Sequence, residues 1–294
     1  MPDSAYQATK PARLATYEIR DATYAVRSWG PESARPLVLL HGARDTSVTF
    51  QFLVDALQGS WRIVAPDWRG HGQTRAAHYG WFHDYLADLD VLLQMLFADQ
   101  SVDLVGHSLG GNVATVYAGL CPDRIRHVVS LDAFGTLPPT NAEFPQLLQG
   151  WLQGTRNQPV NTRYDSVEQM AGRLCAANRR LGWDKALFLA RHSSRLGPTG
   201  GLEWRFDSSY RRSMPTFHSL AEWLSCWRGI IARQLWIAAE EQRRGTVRAD
   251  PEAFALVRAQ LAPGSLVFLA NTGHNVQHDS PGPLAALIEA FLSD

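Results

Sequence analysis

Cysteine is scarce in this 294-residue sequence, and no long apolar run is present. The three cysteines, Cys121, Cys175 and Cys226, are widely spaced and odd in number, which argues against a disulfide framework or a zinc site and favours buried free thiols. No apolar stretch approaches the roughly 20 residues that cross a bilayer, so we expect no association with a membrane. The polar first eleven residues lack the apolar core of a signal peptide, which favours a cytoplasmic protein.

An excess of either charge is also absent. Basic and acidic residues number 28 each, and no basic stripe marks a surface for nucleic acid. We therefore expect a small molecule, rather than nucleic acid or membrane, as the partner of this chain. The composition leaves a monomer and a homodimer equally open.

Short apolar runs alternate with helical patterns over most of the chain. Residues 36–40 form a continuous apolar run, of the kind found in buried parallel strands, and the leucines between Leu86 and Leu96 recur at helical spacing. Two alternating segments, 13–20 and 22–29, predict an antiparallel edge hairpin. The pattern predicts an α/β fold with a mostly parallel, doubly wound sheet.

The alternation stops after residue 135 and resumes near residue 228. The intervening stretch carries short helical patterns rich in large apolar groups, and it is too long for a structureless loop inside a compact domain. We therefore predict a core in two parts, 1–135 and 228–294, and an inserted helical cap over 136–227. The density of aromatic groups favours a pocket lined by some of Phe134, Trp151, Phe188 and Trp223.

The pattern Gly106-His107-Ser108-Leu109-Gly110 lies between a predicted strand and a predicted helix. This context is typical of a nucleophile elbow, a tight strand-to-helix turn that needs small residues two positions before and two after the serine. The turn raises the serine hydroxyl above the carboxyl edge of the sheet, beside the unpaired N–H groups of a helix N-terminus. Ser108 is thus the predicted nucleophile, and His107 is interpreted as a packed histidine.

A serine nucleophile needs a base, and in this architecture the acid and then the histidine follow it along the chain. Downstream of the predicted cap the histidines are His274 and His278. His274 follows directly on the last predicted strand and should lie at the same sheet edge as Ser108, so it is the predicted base. A zinc site at His274, His278 and Asp279 lacks further ligands at suitable spacing, and no metal is expected.

Four motifs follow predicted strands in order along the chain: His41-Gly42, Asp67-Trp68-Arg69-Gly70-His71-Gly72, Gly106-His107-Ser108-Leu109-Gly110-Gly111 and Gly273-His274. As a set they resemble the motifs of the α/β-hydrolase superfamily, and the resemblance covers the whole chain outside the predicted cap. Four further stretches, 50–54, 85–90, 117–119 and 131–135, resemble the serine-hydrolase-like proteins within it. The resemblance implies a serine hydrolase that needs no cofactor.

The acid departs from the usual superfamily pattern. Most members carry Gly-x-x-Asp after the strand that follows the cap, and this chain has Ala239-Glu240-Glu241-Gln242 there. A neutral glutamine cannot stabilise an imidazolium by charge. Asp132, at the end of the preceding core strand, is the predicted acid, and Glu240 or Glu241 is the alternative. Asp132 could instead serve only as a cap or turn residue at the strand exit.

The developing oxyanion needs two backbone donors. We expect them to be the N–H of Leu109, which follows the nucleophile, and the N–H of Ala43, on the loop after His41-Gly42. The motif from Asp67 to Gly72 is interpreted as structural, with Asp67 and Arg69 joining loops near the site. Contact of Trp68 or His71 with substrate is the alternative.

These residues predict cleavage of an ester-like bond in a largely apolar small molecule, through an acyl-enzyme on Ser108. A lactonase, thioesterase, carbon–carbon bond hydrolase or perhydrolase would use the same residues, and the sequence does not separate them. A ligand-binding protein with weak catalysis is the rival of a different class, because the usual aspartate is missing at Gln242.

Overall fold

The computed structural model describes residues 5–76, 80–98, 100–137, 144–157, 160–198, 200–208, 218–241 and 246–293. The strands are β1 (Arg13–Ile19), β2 (Ala22–Trp29), β3 (Arg35–Leu40), β4 (Trp61–Pro66), β5 (Arg75–Ala76), β6 (Val102–His107), β7 (Ile125–Leu131), β8 (Ser194–Leu196), β9 (Leu202–Trp204), β10 (Arg233–Ala239) and β11 (Leu266–Leu269). The helices are α1 (Gln51–Ala56), α2 (Phe82–Phe97), α3 (Leu109–Leu120), α4 (Phe144–Arg156), α5 (Val167–Ala177), α6 (Trp183–Ser193), α7 (Leu220–Trp227), α8 (Pro251–Arg258), α9 (Val276–Asp279) and α10 (Pro281–Ser293).

The main sheet follows the order β1-β2-β4-β3-β6-β7-β10-β11, with β5 paired to β2. From β4 to β11 neighbouring strands are parallel, whereas β1 and β2 form an antiparallel hairpin at one edge. Both the α/β class and the edge hairpin predicted from the sequence are confirmed. Within the described residues, no helix has the length and apolar character needed to cross a bilayer.

Both faces of the sheet are covered, which explains the continuous apolar strands. In β3, Leu37 and Leu39 pack with α1 and α10 on one face, and Val38 and Leu40 pack with α2 and α3 on the other. Because side chains alternate along a strand, a strand buried on both faces is apolar over most of its length. This is why the run over residues 36–40 predicted a buried strand.

The strand register aligns the functional loops. Leu40 of β3 lies opposite Gly106 of β6, which lies opposite Ser130 of β7, and β7 pairs in turn with β10. The loops that follow these strands therefore leave the same carboxyl edge. In parallel sheets this edge is where ligands bind.

The stretch predicted as a cap contains α4 to α7 and a short antiparallel hairpin, β8–β9, that the sequence analysis missed. Helices α5 and α6 pack around Phe52 and Val48 of the core, and α7 packs beside β10 through Trp227 and Trp236. The hairpin has only three residues per strand, too few to show an alternating pattern. The division into cap and core stays a prediction.

Helix α3 crosses the end of β6 at very short distance. A Cβ placed on Gly106 would lie 2.2 Å from the carbonyl oxygen of Gly110, and one placed on Gly110 would lie 2.1 Å from that of Leu40. Both neighbours are backbone atoms, which cannot rotate away. Glycine is thus required at both positions by close approach, as the elbow pattern predicts.

We predict that Gly110→Ala lowers the free energy of unfolding by about 3 kcal/mol or more, because the added methyl overlaps backbone of β3. Gly282→Ala is the matched control, since a Cβ there meets nothing within 4 Å and position 282 lies in α10. The control should be neutral or stabilising by up to about 1 kcal/mol. Urea unfolding of both variants measures the difference; equal stabilities would contradict the close crossing.

Candidate active site

Ser108 lies between the last residue of β6 and the first residue of α3. Its backbone has φ 52° and ψ −116°, a conformation that is strained for a residue with a Cβ. The Ser108 N–H donates to the carbonyl of Leu131 at 3.1 Å, so the turn is tied to the end of β7. This geometry is that of an elbow, with the hydroxyl carried on a rigid turn.

Ser108, His274 and Asp132 form one hydrogen-bonded line. The Ser108 Oγ lies 3.0 Å from Nε2 of His274, and Nδ1 of His274 lies 2.8 Å from Oδ2 of Asp132. A carboxylate only accepts, so Nδ1 carries the proton and Nε2 is left as the acceptor for the serine hydroxyl. The arrangement can therefore take a proton from Ser108 and stabilise the imidazolium that results.

Asp132 is held between two strand ends. Its side chain is 4% exposed, and its Oδ1 accepts from the N–H of Ala239 at 3.0 Å. Its own N–H donates to the carbonyl of Ile237 at 2.7 Å. The carboxylate is thus fixed from the side of β10 while its other oxygen faces His274.

Glu240 and Glu241 have other partners. Glu240 Oε2 accepts from the N–H of Asn271 at 2.7 Å, and Glu241 pairs with Arg180 at 2.7 Å with its side chain 61% exposed. Gln242 lies outside the described residues. The structure thus brings Asp132, and neither glutamate, to His274. The catalytic role of each residue stays a prediction.

The two predicted oxyanion donors belong to chain segments beside Ser108. Leu109 is the first residue of α3, where backbone N–H groups have no partner within the helix. Ala43 is exposed on the loop after β3, and a Cβ on its neighbour Gly42 would lie 3.2 Å from the Cβ of Ser108. The loop therefore runs directly beside Ser108.

Two buried neutral histidines shape that loop. His41 Nε2 accepts from the N–H of Trp68 at 2.9 Å, so its Nδ1–H donates to the carbonyl of Gly42 at 2.7 Å. His71 Nε2 accepts from the N–H of Arg44 at 2.9 Å, and its Nδ1–H donates to the carbonyl of Arg69. Burial lowers the pKa of each histidine to about 3. Each ring is therefore neutral and makes one hydrogen bond as donor and one as acceptor, both to the backbone.

The motif from Asp67 to Gly72 joins loops, as the structural interpretation predicts. Asp67 accepts from the N–H groups of Ser47 and Gln73, and the Arg69 guanidinium pairs with Asp88 and Asp21. Trp68 and His71 are 0% and 1% exposed. Burial of both side chains gives no support to the alternative in which they contact substrate.

Three of the four aromatic residues predicted to line the pocket are packed in the interior. Phe134 packs against Trp236 with tilted rings, Trp223 stacks on Trp227, and Phe188 packs on Phe52. Trp151 of α4 is half-buried, with its ring centroid 6.3 Å from that of Trp81. Contact of these four residues with substrate stays a prediction.

A cavity of about 400 Å³ opens beside His274. The end of α5 meets the loop of His274 there, and polar side chains form much of the cavity wall. Across this junction the Asn178 amide donates to Asp279 at 2.6 Å. The lining residues are Ala176, Ala177, Asn178, Arg179, Arg180, Glu241, Gly273, His274 and Asn275. The stretch predicted as a cap thus reaches the site through this corner.

Sequence reasoning missed two charged residues near the site. Arg248 is buried, donates to the carbonyls of Ala239 and Glu241, and lies 3.9 Å from Oδ1 of Asp132. Asp45, on the loop after β3, has its pKa raised to about 6, chiefly by burial. Neither residue belongs to a motif with fixed spacing, so no pattern in the sequence marks it.

The family of this chain follows from its similarity to known proteins. A family model described as the alpha/beta hydrolase fold matches residues 35–290. This chain belongs to the α/β-hydrolase family. The resemblance found in the motifs is thereby confirmed.

Individual relatives are similar over part or all of the chain. A serine hydrolase-like protein of Danio rerio is 36% identical over 142 residues, which cover 47% of this chain and 41% of that protein. A serine hydrolase-like protein of Dictyostelium discoideum is 32% identical over 38% of this chain and 33% of its own. The matches thus span less than half the length of these curated relatives.

Solved structures agree in fold. The thioesterase domain from the curacin biosynthetic pathway superposes with a TM-score of 0.84 at 22% identity, covering 97% of this chain and 100% of that domain. E-2-(acetamidomethylene)succinate hydrolase gives a TM-score of 0.78 at 21% identity, with coverage of 97% and 100%. At this identity the similarity shows the fold alone.

We predict that the free energy of unfolding falls as the pH drops below about 6.5. The unfolded chain protonates its histidines near that pH, whereas burial lowers the folded pKa of His41, His71 and His278 to about 3. The unfolded state then binds more protons, and each histidine costs about 1.4 kcal/mol of stability per pH unit between those two values. The pKa of Asp45 is raised to about 6 in the folded state, so below that pH the folded protein binds a proton there that the unfolded chain does not. This uptake offsets the loss of stability caused by one of the histidines.

Urea unfolding between pH 7.5 and 5.0 measures this slope. His71→Gln keeps an acceptor for the N–H of Arg44 but cannot be protonated. Its free energy of unfolding should therefore change with pH less steeply than that of the wild type, by about 1.4 kcal/mol per pH unit, because one proton fewer is taken up on unfolding. Parallel curves for the two proteins would show that His71 is not neutral in the folded state.

Proposed function

We propose that this protein is a cofactor-independent serine hydrolase that cleaves an ester-like bond through an acyl-enzyme on Ser108. The observation that supports it best is the line from Ser108 through His274 to Asp132, with distances of 3.0 and 2.8 Å. Nucleophile, base and acid are then in the geometry that acyl transfer requires. The partial match to serine hydrolase-like proteins supports the same activity.

In the proposed reaction, Ser108 Oγ attacks the carbonyl carbon while His274 Nε2 takes its proton. The N–H groups of Leu109 and Ala43 stabilise the oxyanion, and the proton then passes from His274 to the leaving alcohol. His274 then takes a proton from a water molecule as the water attacks the acyl-enzyme, and it returns that proton to Ser108 Oγ when the bond to the acyl carbon breaks, which releases the acid and free Ser108. Asp132 keeps the Nδ1 proton in place and stabilises the imidazolium at both stages.

We propose further that residues 136–227 form a helical cap over this site, and that the substrate is largely apolar. Asn178, at the end of α5, shares the cavity wall with His274 and donates to Asp279, which supports the cap. The aromatic content of the segment is the sequence feature that favours an apolar substrate. The polar cavity wall beside His274 would then face the more polar end of the substrate. A series of chromogenic esters, thioesters and lactones of increasing acyl length tests the preference for an apolar substrate. A kcat/KM that does not rise with chain length would contradict that preference.

We predict that Ser108→Ala abolishes both ester hydrolysis and labelling by a fluorophosphonate probe, because the probe reacts only with an activated nucleophile. The fold should persist, since a partly exposed hydroxyl is lost and nothing is overpacked. Labelling is followed by intact mass. Activity above a few per cent of wild type in a clean preparation would exclude Ser108 as the nucleophile.

We predict that Asp132→Asn lowers kcat by about 10²- to 10⁴-fold with little change in KM, because the amide removes the charge that stabilises the imidazolium. Glu240→Gln and Glu241→Gln are matched controls that also remove one carboxylate beside the same strand end. Each should change kcat by less than about tenfold, as should Gln242→Ala. A larger loss in either glutamate variant than in Asp132→Asn would place the acid after β10.

A further inference from the structure

His107 touches all three loops that carry the site. It is the last residue of β6, directly before Ser108, and it is only 3% exposed. Its ring centroid lies 4.8 Å from that of His274, and a Cβ on Gly42 would lie 3.0 Å from its Nδ1. The imidazole therefore fills the space between nucleophile, base and oxyanion loop.

The hydrogen bonds of His107 determine its tautomer. Its Nε2 lies 2.8 Å from the main-chain carbonyl oxygen of His274, which can only accept, so Nε2 carries a proton. Its Nδ1 lies 3.3 Å from the side-chain amide nitrogen of Gln277, which can only donate. A neutral ring protonated at Nε2 satisfies both contacts.

Gln277 continues this line into the core. The same amide nitrogen donates to Thr49 Oγ1 at 3.0 Å, and Thr49 Oγ1 lies 2.6 Å from Nε2 of His278. Thr49 and Gln277 are fully buried, and His278 is 7% exposed. The line thus connects the main chain of His274 to the short turn at residues 47–50, which follows the oxyanion loop.

We propose that His107 is a positioning residue for His274, and that Gln277 holds His107 in the tautomer that does so. The Nε2–H of His107 donates to the main-chain carbonyl of His274 and so fixes the backbone of that residue. The His274 ring then stays within reach of both Ser108 and Asp132. A displacement of about 1 Å in such a group costs about 10²-fold in rate. The kinetic consequence rests on the proposed function, whereas the tautomer and the contact do not.

Nitrogen-15 NMR of the histidine side chains tests the tautomer without any substrate. At neutral pH, the wild-type protein should show His107 protonated at Nε2 and His274 protonated at Nδ1. In His107→Met the ring resonances of His274 should shift or broaden, because the hydrogen bond to its main chain is lost. A His107 protonated only at Nδ1, or unchanged His274 resonances in the variant, would overturn the proposal.

Two substitutions at residue 107 separate positioning from packing. His107→Met keeps an apolar side chain of similar length but has no donor, and should lower kcat by about 10- to 100-fold with KM within about twofold. His107→Gln carries an amide N–H that can reach the same carbonyl, and should recover to within about threefold of wild type. Equal losses in both variants would show that only the ring matters and would refute the proposal.

His127→Met is the matched control for loss of a buried histidine. His127 lies near the start of β7, at the amino edge of the sheet, whereas His107 lies at the carboxyl edge. It is 7% exposed, and its Nδ1 lies 2.9 Å from Oδ1 of Asp103. This variant should lower Tm but leave kcat within about twofold of wild type. A loss of kcat here as large as in His107→Met would mean that destabilisation alone explains the effect.

If His107→Met fails to fold, Gln277→Met provides the second route, since it removes the donor that holds Nδ1 of His107. Its kcat should fall by about three- to tenfold with KM unchanged, and an unchanged kcat would contradict the proposal. Fluorophosphonate labelling of the wild type separates the two conclusions. No labelling would refute the proposed function and leave the NMR result as the test of positioning; labelling with full kcat in His107→Met would refute positioning alone.

Discussion

The close crossing of α3 over the end of β6 is the constraint on which the rest of the site depends. Glycines at 106 and 110 allow backbone to approach backbone at distances that any Cβ would prevent. The chain between them must then turn within one residue, which places Ser108 at φ 52°. The strain is held by the surrounding parallel sheet, whose strands are buried on both faces. A rigid scaffold thus supports a strained residue at its edge.

Around this turn buried neutral histidines position several of the polar groups. His41 and His71 each accept one backbone N–H and donate to one carbonyl, and together they shape the loop that runs beside Ser108. A neutral imidazole can satisfy a donor and an acceptor at once without a buried charge. His107 has the same capacity, with one ring nitrogen on the main-chain carbonyl of His274 and the other on the amide of Gln277. Charged groups fasten the scaffold as well, as Arg69 does with Asp88.

Local patterns were enough to predict several features. The glycine spacing about Ser108 is a local pattern, and the close approach at Gly106 is to the carbonyl of Gly110, four residues along the chain. The close approach at Gly110 is instead to Leu40 of β3, which is distant in sequence. Apolar runs such as 36–40 predicted buried parallel strands, and the motifs predicted the α/β-hydrolase family. Three features escaped the patterns. The β8–β9 hairpin is too short to alternate, Arg248 belongs to no motif, and the packing of Phe134 and Trp223 into the interior depends on neighbours distant in sequence.

Local sequence patterns predicted the elbow, the positions of Ser108 and His274, and the edge of the sheet at which they lie. They left Asp132, Glu240 and Glu241 as alternatives for the acid, because all three follow strands at that edge. It is the folded structure that brings the Asp132 carboxylate to Nδ1 of His274. The reason is physical: β7 lies between β6 and β10, and the Asp132 carboxylate is held toward the site by the N–H of Ala239. Side-chain direction at a strand exit depends on such cross-strand contacts, which no local spacing encodes.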